Sequence, residues 1–132
     1  MDLQIINIAA NTKNNKLLKK FSHKSKYKNP MCGDQIEIRL IVKNNKIIDI
    51  GYQSKSCIYC LASASILSNI SINKSLKKII KLIDEVLEYF LKYKLILPKN
   101  AKKLKYILNK KNYSRKECIL LPFKALKKAL QN

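Results

Sequence analysis

The chain has 132 residues, enough for one domain with one sizeable core, and its 47% hydrophobic content excludes a disordered chain. Its net charge of +20 invites a nucleic-acid reading. Against that reading, only Arg39 and Arg115 are arginines, and the lysines run from Lys13 to Lys128 without clustering. Lys, Asn and Ile share A/T-rich codons, so compositional bias accounts for most of the charge. Docking onto an acidic protein, or weak nucleic-acid contact, is the other reading.

Four cysteines are too sparse for a secreted disulfide framework. Met1-Asp2-Leu3-Gln4 lacks a basic leader region, and no apolar run reaches the roughly 18 residues of a spanning helix. These features read as a cytoplasmic protein in a reducing compartment, with no membrane role.

Leu3 to Ala10 is apolar enough for a stub of helix, and Asn11 to Lys16 is polar loop. Phe21, His23, Ser25 and Tyr27 alternate with polar neighbours, as in a strand. Pro30 and Gly33 mark a turn. Ile36, Ile38, Leu40 and Val42 then alternate with Glu37, Arg39 and Ile41. Asn44-Asn45 suits the positive φ of a tight hairpin turn. Ile48, Ile50 and Tyr52 alternate with Ile47, Asp49 and Gly51, completing an antiparallel hairpin with one buried face.

Ser56 is expected to cap a helix over 57–70, with Cys57 in its first turn, where open amides can face a thiolate. The small residues Ala62, Ser63, Ala64 and Ser65 allow close packing on the sheet. Leu76, Ile79, Ile80, Ile83, Val86, Leu87, Phe90 and Leu91 form the stripe of a second helix. Pro98 ends the next stretch, and Leu104, Ile107 and Leu108 suggest a short further helix. Ser114-Arg115-Lys116-Glu117 has the capping-box pattern and is expected to start a last helix. Ile119, Leu120, Phe123, Leu126 and Leu130 make its stripe, and Pro122 predicts a kink or a tight opening turn.

The chemistry concentrates on the cysteines. The two ends of an antiparallel hairpin are neighbours, so the spacing brings Cys32, Asp34 and Cys57 to one edge of the sheet. Cys118 lies far downstream. Three soft thiolates and one carboxylate suit zinc, or iron in a cluster. No knuckle pair is present, and scattered buried cysteines are often structural. Cys57 and Cys60 form a Cys-x-x-Cys pair, but on a hairpin rather than a βαβ unit, so a redox dithiol, a cluster ligand, a reserve persulfide and a small core side chain all stay open for Cys60. His23, the one histidine, reads as an ordinary strand residue. Asp84, Glu85 and Glu88 read as a solvated helix face. One histidine and two glycines leave no hydrolase triad and no phosphate-cradling loop.

Asn29-Pro30-Met31-Cys32-Gly33-Asp34, the hairpin, and Cys57 followed by Ala62-Ser63-Ala64-Ser65 resemble the iron–sulfur cluster assembly scaffolds of the IscU/NifU N-terminal family. Arg115-Lys116-Glu117-Cys118 resembles the family's third-cysteine segment. The Arg-x-x-Cys form and the long gap from Cys57 are closer to the SufU branch. The resemblance is strong over residues 29–70 and weaker over 114–130. It implies Cys32, Asp34, Cys57 and Cys118 as ligands of zinc or of a nascent cluster, 2Fe–2S if a cluster. It implies a cysteine desulfurase and iron–sulfur acceptor proteins as partners, and Cys118 or Cys32 as persulfide acceptor. Asp34 would be the labile hard ligand, and Arg115 would stabilise the site or orient Asp34.

The chain departs from the family at several points. The N-terminal helix and its His-Tyr-x-Asn-Pro element shrink to Ile5 through Asn11. Ser54, Lys55 and Ser56 replace glycines. Glu117 stands where IscU-type members have histidine, and the proline-rich segment presented to a chaperone is missing.

The expected fold is α+β, one domain over 1–132, with a small antiparallel sheet of about three strands packed on one face by several helices. The expected function is a scaffold or sulfur acceptor rather than an enzyme in the strict sense. A zinc-dependent sulfurtransferase that activates a desulfurase, and a small basic nucleic-acid-binding domain, are the alternatives. A homodimer stays open.

Overall fold

A computed structural model describes residues 3–31, 33–95 and 97–131. Strands β1 (His23–Lys28), β2 (Gln35–Lys43) and β3 (Lys46–Lys55) form one antiparallel sheet in the order β1-β2-β3. Helices α1 (Leu3–Ala9), α2 (Ile58–Ser71), α3 (Leu76–Lys92) and α4 (Lys116–Leu130) accompany it, with 3-10 segments at Lys99–Tyr106 and Lys110–Arg115. The fold is the expected α+β arrangement.

The β2–β3 hairpin turns on Asn44 and Asn45, at φ 52° and 60°, the left-handed values that asparagine tolerates. Its register runs Gln35 with Lys55 through Ile41 with Asp49, then slips to Val42 with Ile47. The slip makes Ile48 an extra residue, and the side-chain alternation reverses across it. Ile47 is therefore fully buried and Ile48 is exposed, the opposite of the expected alternation. Beyond the bulge, Ile50 and Tyr52 join Ile36, Ile38 and Leu40 on the buried face.

The outer edge of β3 is covered. Segment 73–76 pairs with its start, through Ile47 N to Lys74 O, Asn73 N to Ile47 O and Leu76 N to Asn45 O. Farther along, Tyr52 N donates to Asn14 O, and the Asn14 side chain bonds Ser68 and Asn69 of α2. Gly51 permits this crossing, because a Cβ there would collide with the Lys16 carbonyl oxygen. At the other edge, β1 exposes Lys24, Lys26 and Lys28, charges of the kind that deter edge-to-edge pairing.

The helices bury the core against one sheet face. α2 packs on α1, α4 and β3, so its small residues serve helix–helix as well as helix–sheet contact. α3 is capped by Ser75 Oγ, which accepts from Lys78 N. Its buried residues are Ile79, Leu82, Ile83, Val86 and Phe90. Ile80 and Leu91, expected in its stripe, are exposed at 39% and 82%, so the face that meets the core is narrower than the apolar run.

α4 continues through Pro122. Pro122 cannot donate to the Cys118 carbonyl, and its ring loosens the local ladder. Ser63 Oγ donates to the neighbouring Ile119 carbonyl, and Ser25 Oγ donates to Ala125 O, so side chains of α2 and β1 hold α4 in place. The expected capping box does not form. Ser114 and Arg115 end the second 3-10 segment, and Arg115 occupies the cap position with no side-chain cap bond.

Candidate metal and cluster site

Three elements converge at one end of the sheet. The β1–β2 connection is closed by Asn29 N to Asp34 O and by Gly33 N to Asn29 O. Asn29 Oδ1 accepts from Met31 N, which folds the turn locally. Gly33 sits at φ 79° with open space around it, so backbone conformation rather than crowding calls for glycine there. This brings Asp34 to the entrance of β2, one residue before the Gln35–Lys55 pair. Cys57 follows two residues after that pair.

Cys57, not Ser56, is the N-cap of α2, with an extended backbone at φ −74° and ψ 169°. Its N–H donates to Asp34 Oδ2 at 3.4 Å, a long bond that joins the two ends of the hairpin. Cys118 comes from the first turn of α4. The ligand atoms of Asp34, Cys57 and Cys118 all lie within 4.8 Å of one another, and all three residues are half-buried. That spacing fits ligands around one ion, since Zn–S and Zn–O bonds of roughly 2.3 and 2.1 Å place neighbouring donors about 3.5–4 Å apart. Cys32, the fourth expected ligand, lies outside the described residues.

The Cys118 thiol is pushed well above the ordinary cysteine range. Burial is the largest cause, followed by the hydrogen bond and charge of Cys57 and then those of Asp34. In the metal-free protein this sulfur therefore keeps its proton at neutral pH. A cation in the site reverses that preference, because a coordinating thiol is deprotonated.

Arg115 does not pair with Asp34 among the described residues; its guanidinium lies 5.4 Å from the centre of the Tyr59 ring. Sequence reasoning gave Tyr59 no role. It falls two residues after Cys57, and the contact ties the first turn of α2 to the residue that opens α4. Asn29 entered only as part of a motif, yet it is buried, and its Nδ2 has no hydrogen-bond partner among the described residues. Its position before Pro30 was the available signal. His23 lies on β1 with Nδ1 against Ser22 Oγ, and the described metal-ligating group does not include it.

A family profile described as the NifU-like N-terminal domain matches residues 2–132. The chain belongs to this family. An uncharacterized protein of Borreliella burgdorferi is 33% identical over 112 residues, covering 85% of this chain and 74% of that protein. Two solved structures share the fold. One is a candidate iron–sulfur cluster assembly scaffold protein for the SUF system from Fervidobacterium islandicum, with TM-score 0.88, 22% identity, and coverage of 98% of this chain and 96% of that one. The other is the N-terminal part of a nitrogen-fixing NifU-like protein from Brucella abortus, with TM-score 0.90, 18% identity, and coverage of 98% and 91%. Family membership and the Asp34, Cys57 and Cys118 cluster together support an iron–sulfur scaffold role. Among the described residues, no helix is long and apolar enough to cross a membrane.

Proposed function

We propose that this protein accepts sulfur from a cysteine desulfurase and holds a nascent iron–sulfur cluster, or zinc, through Cys32, Asp34, Cys57 and Cys118. The observation that carries the reading is the convergence of Asp34, Cys57 and Cys118 from the starts of β2, α2 and α4. Ligands on three separate elements make the site part of the fold.

In sulfur transfer, a Cys118 or Cys32 thiolate attacks the outer sulfur of the desulfurase persulfide. The persulfide S–S bond breaks and the desulfurase cysteine leaves as thiolate. The raised Cys118 thiol makes this step depend on a bound cation, because burial otherwise keeps the proton in place. Zinc or iron supplies that charge when bound, and cluster iron with its sulfide is the cargo. Asp34 is the one hard ligand in a soft set, which makes it the weakest hold on the cargo and the natural point of release. Arg115, held against Tyr59 and three residues before Cys118 in the chain, would add positive charge for an incoming persulfide.

The zinc-dependent sulfurtransferase reading uses the same residues, and the dependence of Cys118 on a cation favours keeping it. It predicts tightly held zinc and no stable cluster. A nucleic-acid-binding domain predicts steep salt dependence that Cys32→Ser leaves unchanged. Anaerobic purification followed by metal and sulfide analysis separates these readings. The proposal expects zinc or iron near one site per chain, held more weakly, so that less survives desalting, in Cys57→Ser and Cys118→Ser. Binding of neither metal by the intact chain rejects it.

A further inference from the structure

The ligand set leaves one cysteine unused, and it lies directly beside the site. Cys57 caps α2, and Cys60 lies on the first turn of the same helix. Helical rise and radius put their Cα atoms about 5 Å apart, within the roughly 4.4–6.8 Å that a disulfide spans. The extended backbone of Cys57 leaves its side chain outside the regular helical array, able to turn toward the next turn. Cys60 is fully buried, whereas Asp34, Cys57 and Cys118 are half-buried, so Cys60 lies on the core side of the ligand cluster. Its surroundings include Tyr52, a buried tyrosine hydrogen-bonded to Ser65.

We infer that Cys57 and Cys60 form a persulfide-resolving pair, in which Cys60 displaces sulfane sulfur from Cys57 as hydrogen sulfide. The inference rests on the sulfur-acceptor reading for the origin of the sulfur: the Cys57 thiolate takes the outer sulfur of a Cys118 persulfide, whose ligand atom lies within 4.8 Å, and Cys118 leaves as thiolate. The Cys60 sulfur attacks Cys57 Sγ, a Cys57–Cys60 bond forms, and the bond from Cys57 Sγ to the sulfane sulfur breaks. The displaced sulfur leaves as hydrogen sulfide, carrying its own proton and the one from Cys60. It gains two electrons, and the two cysteines lose two as they become one disulfide. An external dithiol then returns the pair to thiols and is itself oxidised. A desulfurase delivers sulfur at the persulfide level, whereas a cluster contains sulfide, so this pair supplies the missing reduction beside the ligands. A buried resolving thiol also meets little competing oxidant from solvent.

The test uses the reduced, metal-free full chain carrying Cys32→Ser and Cys118→Ser, which leaves only Cys57 and Cys60. It is loaded briefly with inorganic polysulfide and desalted; released sulfide is then trapped with a bimane, and the protein is weighed intact and mapped. About one equivalent of hydrogen sulfide per persulfide is expected, with a Cys57–Cys60 disulfide. Adding Cys60→Ser should lower release at least about 10-fold and leave a stable persulfide on Cys57. Cys60→Ala, with circular dichroism of both variants, guards against misfolding. Equal release with and without Cys60 overturns the inference. So does a persulfide that persists beside both thiols, or a disulfide joining Cys57 to Cys118 instead of Cys60 in the wild-type chain. No desulfurase or metal enters the assay, so failure of the cluster or sulfur-acceptor reading would show separately.

Discussion

Replacing Cys118 with serine should change how many protons leave when zinc binds, and the structure fixes how that change depends on pH. Cys118 is half-buried, its thiol hydrogen-bonded with Cys57 and Asp34, and that thiol is raised well above the ordinary range. Zinc binds the thiolate, so the Cys118 proton must leave on binding. Titration calorimetry in buffers of different ionisation enthalpy counts released protons. The wild-type count minus the Cys118→Ser count isolates this sulfur. That difference should be about one proton at pH 7 and still close to one at pH 9, because the metal-free thiol stays protonated across the interval. A thiol titrating near 8.5 would give about one at pH 7 but only about 0.2 at pH 9. A difference that collapses toward 0.2 refutes the assigned environment. A difference near zero at both values refutes Cys118 as a ligand.

The same raised thiol gives the metal-free fold a pH signature. The folded state holds the Cys118 proton more tightly than the unfolded chain, so its contribution is complete below about pH 8.5 and is lost as pH rises further. Urea midpoints of the metal-free chain should therefore fall above that pH, and less so in Cys118→Ser. Asp34→Asn keeps the shape but removes the carboxylate; zinc affinity by chelator competition should drop at least about 10-fold, the lower end of the cost of even an outer-shell change. Unchanged affinity would remove Asp34 from the ligand set. Gly51→Ala forces a Cβ against the Lys16 carbonyl and should cost about 1–3 kcal/mol. Thermal unfolding should then fall by roughly 4 °C per kcal/mol; an unshifted midpoint would mean that the 14–18 loop does not cross β3 as described. A double-mutant cycle on Arg115→Ala and Tyr59→Ala should give a coupling of about 0.5–1 kcal/mol, and additive effects would contradict the stacking.

Local chemistry explains what the sequence made legible. Asn44-Asn45 between alternating runs announced the β2–β3 hairpin, and the hairpin alone brought Asp34 beside Cys57. What the alternation concealed was the extra residue at Ile48, because a bulge reverses parity without changing composition. Ser56 looked like a better cap than Cys57 by propensity, but the Asp34 carboxylate reaches the Cys57 amide, and this tertiary contact coincides with the later helix start. The capping box at Ser114 failed similarly: a 3-10 segment runs through Arg115, which lies against Tyr59. Ile80 and Leu91 were misplaced because a strong apolar stripe does not say how wide a face its partners offer. Cys118 could join the site only through chain topology, which spacing does not encode; there the family resemblance supplied what periodicity could not.

Anaerobic reconstitution tests the central claim most directly. The full chain, as purified and again after incubation with ferrous iron, cysteine and a cysteine desulfurase, is desalted and assayed for bound zinc, iron, acid-labile sulfide and visible absorption. The account predicts that iron and sulfide stay with the wild-type chain in equal amounts, and that Cys57→Ser and Cys118→Ser lose both. A chain that keeps Cys32, Asp34, Cys57 and Cys118 intact yet retains neither iron nor zinc would contradict it.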